Sequence, residues 1–336
     1  MLLIRKNAFA RAGLMGNPSD GYNGKTISLI VREFSAEVAL YEWDQLEIVW
    51  SQEDRSRFRS INDLHRDVQL HGYYGGVRLV KATIKKFVEF CRRHGHSLHD
   101  QNFSIRYQSN IPRQVGLAGS SAIIVATLRC LMEFYGVEIP RCVQPSVVLS
   151  VENEELGIAA GLQDRVIQVY EGVVHMDFSR DRMRDQLGYG CGVYEPLDAA
   201  SLPPLYIAYC GEVSEPTEVV HNNLRDRYRR GEQDVVSAMT QFAQLADDAK
   251  DAIATGDGEK LAALIDANFD LRQSICQIPG GQREMVDRAR KCGASAKFTG
   301  SGGAIIGTYP DEDVYQSLKK ELRQIDCRVI RPKIGS

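Results

Sequence analysis

"IPRQVGLAGSSAIIVATL" (Ile111–Leu128) sets Gly116, Gly119, Ser120 and Ser121 directly ahead of an unbroken apolar run. That run predicts a helix continuing to about Tyr135. The first N–H groups of a helix have no partner within it, and its dipole is positive at that end. Small residues there let the oxygens of a phosphate approach the backbone, and a hydroxyl can reach a phosphate-bound Mg²⁺. The plain alternative is a serine N-cap after a glycine turn. A cap needs one small polar residue, whereas four small residues stand at this entrance, so a phosphate loop is the stronger reading.

Working outward, strands and helices alternate in an α+β pattern. "KTISLIV" and "SAEVALYEW" are β-branched and aromatic, and "GNPSDGYNG" separates the first strand from them by turn residues. Apolar residues recur at helical spacing from Tyr74 to Arg93, and "FSIRYQS" (Phe103–Ser109) reads as a strand. A further helix is expected over Pro145–Leu156, and "GVVHMDF" (Gly172–Phe178) returns to strand. The Gly- and Pro-bearing stretch Asp181–Pro204 is the best domain boundary, which divides the chain into residues 1–190 and 191–336. Beyond it come the strand "LYIAYC" and helices over about Glu218–Asp251, Gly258–Ile275 and Gly281–Cys292. "AKFTGSGGAIIGTY" follows as strand–turn–strand, then a helix over Asp311–Gln324 and the strand "CRVIRPKI".

At 336 residues the chain exceeds the usual size of one core, consistent with two domains. A net charge of −3 gives no global attraction to nucleic acid or to an acidic membrane. "RDRYRR" (Arg225–Arg230) is read as a solvated helix face. The eight cysteines include no Cys-x-x-Cys pair, which favours reduced thiols over a disulfide framework or structural zinc. "CRRHGHSLH" (Cys91–His99) lacks paired zinc-ligand spacing and is read as a helix ending at Gly95 with exposed histidines. No run approaches a membrane span and the first residues are too weakly apolar for a signal peptide, so a cytoplasmic location is expected. Nothing in the sequence specifies an oligomeric state.

Three further stretches carry chemistry. "GLMGNPSDGYNGK" (Gly13–Lys25) holds Asn17, Ser19, Asp20, Tyr22 and Asn23, a set suited to sugar hydroxyls but also to a long turn. Its "SDGYNGKT" fails the P-loop pattern because Ser19 stands where the first Gly is required, and no dinucleotide-binding glycine pattern follows a strand. "SVENEELGIAAGLQDRVIQVYEG" (Ser150–Gly172) places Glu152 on a helix and Asp164–Arg165 after a small-residue turn. A carboxylate so placed can face a cleft beside a cation that lowers its pKa, although for this stretch alone surface ion pairing is the stronger reading. "KFTGSGGA" (Lys297–Ala304) is richer in glycine than a hairpin needs and can form an anion nest.

The order of these motifs resembles the GHMP kinase superfamily, with an N-terminal substrate loop, a Pro-x-x-x-Gly-Leu-Gly-Ser-Ser-Ala phosphate loop and a C-terminal glycine motif. The resemblance spans nearly the whole chain. The phosphate loop here is one residue longer between Leu117 and Gly119, and "GNPSD" replaces Gly-Glu-His-Thr-Asp. Those departures, with "AGLQDRVIQVYEG", "VVHMDFS" and "KFTGSGGA", look like the plant-type glucuronokinase branch. The resemblance implies a ribosomal-protein-S5-like N-terminal domain, a ferredoxin-like C-terminal domain and ATP between them. It further implies phosphoryl transfer from ATP to the anomeric hydroxyl of D-glucuronate, the alternative being another sugar such as galacturonate, fucose or a heptose phosphate. By the same resemblance Gly116, Leu117, Ala118, Gly119, Ser120 and Ser121 wrap the phosphates. Ser121, with Ser120 as the alternative, and Glu152 hold Mg²⁺. Asp164 is the catalytic aspartate that accepts the hydroxyl proton, with Arg11 beside it. Asp20, Asn17, Ser19 and Tyr22 face the sugar, and Thr299, Gly300, Ser301 and Gly302 lie near substrate and phosphates. A uronate carboxylate needs a cation, for which Arg165 and Lys25 are the candidates. A catalytically dead binding protein is the reading from another class, and the presence of Asp164, Glu152 and both serines argues against it.

Overall fold

The computed structural model describes residues 2–49, 76–210 and 224–335. It begins with two long antiparallel strands, β1 (Leu3–Met15) and β2 (Lys25–Trp43), joined by the Gly16–Gly24 loop and its single 3₁₀ turn at Ser19–Tyr22. "KTISLIV" and "SAEVALYEW" are one strand rather than two. Phe9 pairs with Ser35 and the next residue, Ala10, with Val31, so Arg32–Phe34 are extra residues on β2. Such a bulge bends a strand without ending it.

β3 (Glu47–Val49) follows, then α1 (Gly76–Arg93) and β4 (Asn102–Ser109). The expected start of α1 at Tyr74 lies outside the described residues, and its end at Gly95, with φ +72°, is as expected. α2 (Gly119–Tyr135) is buried along most of its length, the condition of a helix that is apolar all round. α3 (Gln144–Ser150) continues into one π-helical turn, Val151–Glu155, where a single α-helix was expected. The wider turn carries Leu156 N–H to Val151 O and rotates Glu152 into the interior. α4 (Gln163–Tyr170), β5 (Val173–Asp177), the hairpin β6 (Arg184–Gln186) and β7 (Tyr189–Cys191), and β8 (Val193–Leu197) complete this part. Its sheet runs β3-β4-β2-β5-β8, with β1 on the other edge of β2.

The second sheet is built from β9 (Leu205–Cys210), β10 (Lys297–Phe298), β11 (Ala304–Thr308) and β12 (Cys327–Ile330), in the order β10-β11-β9-β12. Helices α5 (Gln233–Thr255), α6 (Gly258–Ile275) and α7 (Gly280–Lys291) separate its first two strands, and α8 (Glu312–Arg323) its last two. That order and connection are those of a split-βαβ, ferredoxin-like unit. β8 belongs to the first sheet and β9 to the second, so the chain crosses between sheets at Asp198–Pro204. One apolar core joins Ile4, Val38 and Leu128 to Ile207, Ala246 and Ile306.

Two further expectations need correction. The helix expected over Glu218–Asp251 is interrupted: residues 224–229 are helical, a turn follows at Arg230–Gly231 with Gly231 at φ +73°, and α5 begins at Gln233. Residues 218–223 lie outside the described part. A disulfide also joins Cys210 to Cys327, which are register partners on β9 and β12. Strand pairing brings them together across 117 residues, so spacing along the chain carried no sign of it. The other six cysteines are free. Among the described residues no helix is long and apolar enough to cross a membrane.

Candidate active site

The entrance to α2 is not a serine cap. Its N-cap position is Ala118 at φ +59°, and no side chain caps the helix. Ser121 is fully buried and donates to Ala118 O at 3.2 Å. Ser120 instead donates to Glu152 Oε1 at 3.0 Å. The structure thus brings Ser120 to the carboxylate expected at the metal, and turns Ser121 inward. Gly116 sits at φ +71°, where a Cβ would stand 2.7 Å from Gly302 O. Only glycine fits this crossing of the phosphate loop with the C-terminal glycine loop.

Arg11, buried on β1, ties the pieces together. Its Nε and Nη2 donate to Asp164 Oδ1 and Oδ2 at 2.6 and 2.7 Å, a two-pronged pair. Its Nη1 donates to Gly116 O at 2.5 Å and to Thr299 O at 3.3 Å. Backbone bonds run in parallel, from Arg11 N–H to Leu117 O and from Gly13 N–H to Thr299 O. One guanidinium therefore holds the phosphate loop, the α4 aspartate and the C-terminal loop at a single point.

Asp164 opens α4. Burial alone would raise its pKa, but Arg11 and Arg165 outweigh burial and hold it down at about 2. Arg165 donates through Nε to Glu152 Oε2 at 2.6 Å and through Nη2 to the same oxygen, and its Nη1 reaches Gly161 O at 2.9 Å. Glu152 and Arg165 are sealed, with side chains 1% and 5% exposed. Ser120 Oγ and Glu152 form an all-oxygen donor set beside the uncapped helix end. Mg²⁺ takes one or two such protein oxygens and completes its shell with phosphates and water, so these residues fit it.

Asp20, in the 3₁₀ turn, accepts the Gln163 N–H at 3.3 Å and sits against Gly161 with no room for a side chain between them. Burial first, and then the nearby Asp164, push its pKa up to about 6. The remaining loop residues divide. Asn17 Oδ1 accepts from Lys297 Nζ at 2.6 Å, and Ser19, fully buried, donates to Lys25 O at 2.9 Å. Both brace the loop. Tyr22 packs its ring on Tyr228, centroids 4.7 Å apart. Lys25 pairs with Asp247 at 2.6 Å, and Asp247 also meets His175 at 3.2 Å. The two cations expected to meet a substrate carboxylate, Lys25 and Arg165, thus both have protein partners.

In the C-terminal loop Thr299 is buried and donates to Gly116 O at 3.2 Å. A Cβ on Gly300 would stand 2.7 Å from Gly116 O, so the two loops interlock. Gly300 O and Ser301 O accept from Arg272, at 2.6 and 3.0 Å. Gly302, at φ +148°, lies against the Gln282 side chain.

Four residues of this assembly were not singled out from the sequence. Arg272 braces the glycine loop, and Asn268 Oδ1 accepts Gly16 N–H at 2.7 Å. Lys297, fully buried, donates to Gly13 O, Asn17 Oδ1 and Phe298 O, and burial pushes its pKa far down. Gln163 stands between Asp20 and Asp164, its Oε1 buried without a partner. Lys297 and Gln163 stood within quoted motifs without being marked there. A lone Asn or Arg on a helix has no pattern to mark it.

The model of the GHMP kinases N terminal domain matches residues 78–172, which contain the phosphate loop, Glu152 and Asp164. Glucuronokinase 1 of Arabidopsis thaliana is 44% identical over 97% of this chain and 89% of its own length. Among solved structures, Lactococcus lactis galactokinase complexed with galactose superposes with a TM-score of 0.78 at 15% identity, covering 99% of this chain and 94% of its own. A Lin0012 protein from Listeria innocua reaches 0.81 at 14% identity over 100% of this chain and 98% of its own. The fold is the one those two structures share, and identity along nearly the full chain adds what fold alone does not: this chain belongs to the GHMP kinase family, alongside the Arabidopsis glucuronokinases.

Proposed function

We propose that the chain is an ATP-dependent sugar-1-kinase that phosphorylates the anomeric hydroxyl of D-glucuronate, working in the cytoplasm. The observation that carries the reading is the Arg11 hub, whose one guanidinium grips Asp164 at 2.6 Å and the loop ahead of α2, through Gly116 O, at 2.5 Å. Phosphoryl transfer asks a protein for alignment and charge neutralisation more than for covalent chemistry. The uncapped N–H groups at Gly119–Ser121 face the terminal phosphates, and the glycine loop Thr299–Gly303 closes over them. Ser120 and Glu152 hold Mg²⁺, which neutralises phosphate charge when bound. Arg165 fixes Glu152 Oε2 and leaves Oε1 with Ser120. Asp164, kept ionised by Arg11, orients the acceptor hydroxyl.

The name of the 44% identical relative supports glucuronate as acceptor. With Lys25 and Arg165 already paired, we assign the uronate carboxylate to Arg225. This arginine has no ion-pair partner among the described residues, and it acts electrostatically on Tyr22. It lies three residues before Tyr228 on the helical turn packed against Tyr22, and so shares its face.

A coupled ADP-release assay with ATP and Mg²⁺, comparing glucuronate, galacturonate and glucose, tests the function. A better rate on a neutral sugar overturns the uronate assignment. Arg225→Gln is expected to raise the KM for glucuronate about tenfold, the loss of one charge-assisted contact. An unchanged KM removes Arg225.

A further inference from the structure

The carbonyls of the loop ahead of α2 are held one after another. Gly116 O accepts from Arg11 Nη1 and from Thr299 Oγ1, and Leu117 O accepts the Arg11 N–H at 3.2 Å. Ala118 O, the next, receives the Ser121 hydroxyl at 3.2 Å, the Ala122 N–H at 3.3 Å and Gln168 Nε2 at 2.9 Å. Ser121 and Ala122 belong to α2 itself and move with it. Gln168 stands on α4, one helical turn after Asp164, and its Nε2 also donates to Phe9 O on β1 at 3.2 Å. Phe9 and Arg11 are two residues apart on β1, so Gln168 and Asp164 grip neighbouring points of that strand.

Ala118 needs such a grip. It stands at φ +59° and ψ +48°, a left-handed conformation that its Cβ disfavours. In a trans peptide the C=O and the following N–H point in opposite directions. Fixing Ala118 O against Gln168 therefore turns the Gly119 N–H the other way, at the helix end where no intrahelical acceptor exists. Gln168 is itself fully buried, and its Oε1 has no partner among the described residues. An unsatisfied buried oxygen costs stability that an apolar side chain would not, so what this amide supplies is the pair of bonds through Nε2.

We propose that Gln168 is a positioning residue for ATP. It holds Ala118 in its left-handed conformation and so aims the N–H groups at the start of α2 towards the phosphates, without touching the nucleotide. The inference rests on the phosphate-loop reading above.

The test is the affinity for a non-hydrolysable ATP analogue and for glucuronate, by calorimetry on the full chain with Mg²⁺, for the parent, Gln168→Met, Ala118→Gly and the double variant. Methionine keeps the length of the side chain and removes both bonds. Gln168→Met is expected to weaken the analogue about tenfold, the loss of a pair of buried hydrogen bonds, and glucuronate by less than about twofold. Glycine takes the left-handed conformation without strain, so the same substitution in the Ala118→Gly background should cost only about threefold. An unchanged affinity for the analogue overturns the proposal. Equal losses of analogue and glucuronate affinity, or the same loss in both backgrounds, also overturn it and leave Gln168 as a packing residue. If Gln168→Met does not fold, the double variant decides: it must fold and bind the analogue within about threefold of Ala118→Gly, and failure in either respect overturns the proposal. A parent that binds no ATP analogue sinks the phosphate-loop reading instead, which separates the two failures.

Discussion

Arg11–Asp164 and Arg165–Glu152 share the first turn of α4, yet the two ion pairs are built differently. Arg11 spreads its fork over both oxygens of Asp164, whereas Arg165 brings two donors to one oxygen of Glu152 and leaves the other to Ser120. Asp164 remains 19% exposed and Glu152 only 1%. In the function we propose, the open pair faces the substrate and the sealed pair stands behind the helix end. On that proposal adjacent residues on one helix serve opposite duties, one chemistry and one the holding of a donor in position.

Breaking the sealed pair should have the largest effect. Arg165→Leu strands a buried carboxylate and is expected to cost about 3–5 kcal/mol in denaturant unfolding. A loss below ~1 kcal/mol would mean that Glu152 is not sealed. Adding Glu152→Leu should restore most of the stability without restoring activity, since no charge is then left unpaired.

The open side has an opposite signature in pH. Asp164 sits below its ordinary 3.8, so its pairing contributes stability above that pH that is lost as pH falls towards 2. Asp20 sits above its ordinary 3.8, so its contribution is present below that pH and is lost as pH rises through about 6. Ionised Asp20 thus burdens the fold at neutral pH. Asp20→Asn should be more stable than the parent at pH 8 by about 1–3 kcal/mol and should converge with it below pH 4. Equal stability at pH 8 would mean that Asp20 carries no such burden.

The smallest effect belongs to the backbone that Arg11 grips. Gly116→Ala puts a side chain at positive φ against Gly302 O. About 1–2 kcal/mol is expected, roughly tenfold in ATP affinity, with the Arg165–Glu152 pair untouched. Unaltered ATP affinity would separate Gly116 from the phosphate site.

The contrast also marks what could be read in advance. The phosphate-loop helix was legible because its signal is local: small residues at an entrance, then an apolar run, within Ile111–Leu128. Glu152, Asp164 and the glycine loop were legible as motifs in order, and the two-part α+β arrangement as alternating periodicities. That Ser120, and not Ser121, meets Glu152 was not legible, because it turns on an αL residue at Ala118 and a π turn at Val151–Glu155. Nor was the engagement of Lys25 and Arg165, whose partners are set by neighbouring elements. The break before Gln233 was missed because a lone Gly231 does not outweigh a long helical pattern.

Sequence by itself marked the candidate stretches: the small helix entrance, the carboxylates on either side of a glycine turn and the C-terminal glycine loop, each a pattern within a few positions. Tertiary structure decided how they are wired. Arg11 meets Asp164 across 153 residues, Lys297 meets Gly13 across 284, and Cys210 meets Cys327 across 117. Proton affinity follows from those meetings, because burial and neighbouring charge set it and both are properties of the folded chain. That is why Asp20 and Asp164, two ordinary aspartates in the sequence, are driven in opposite directions once folded.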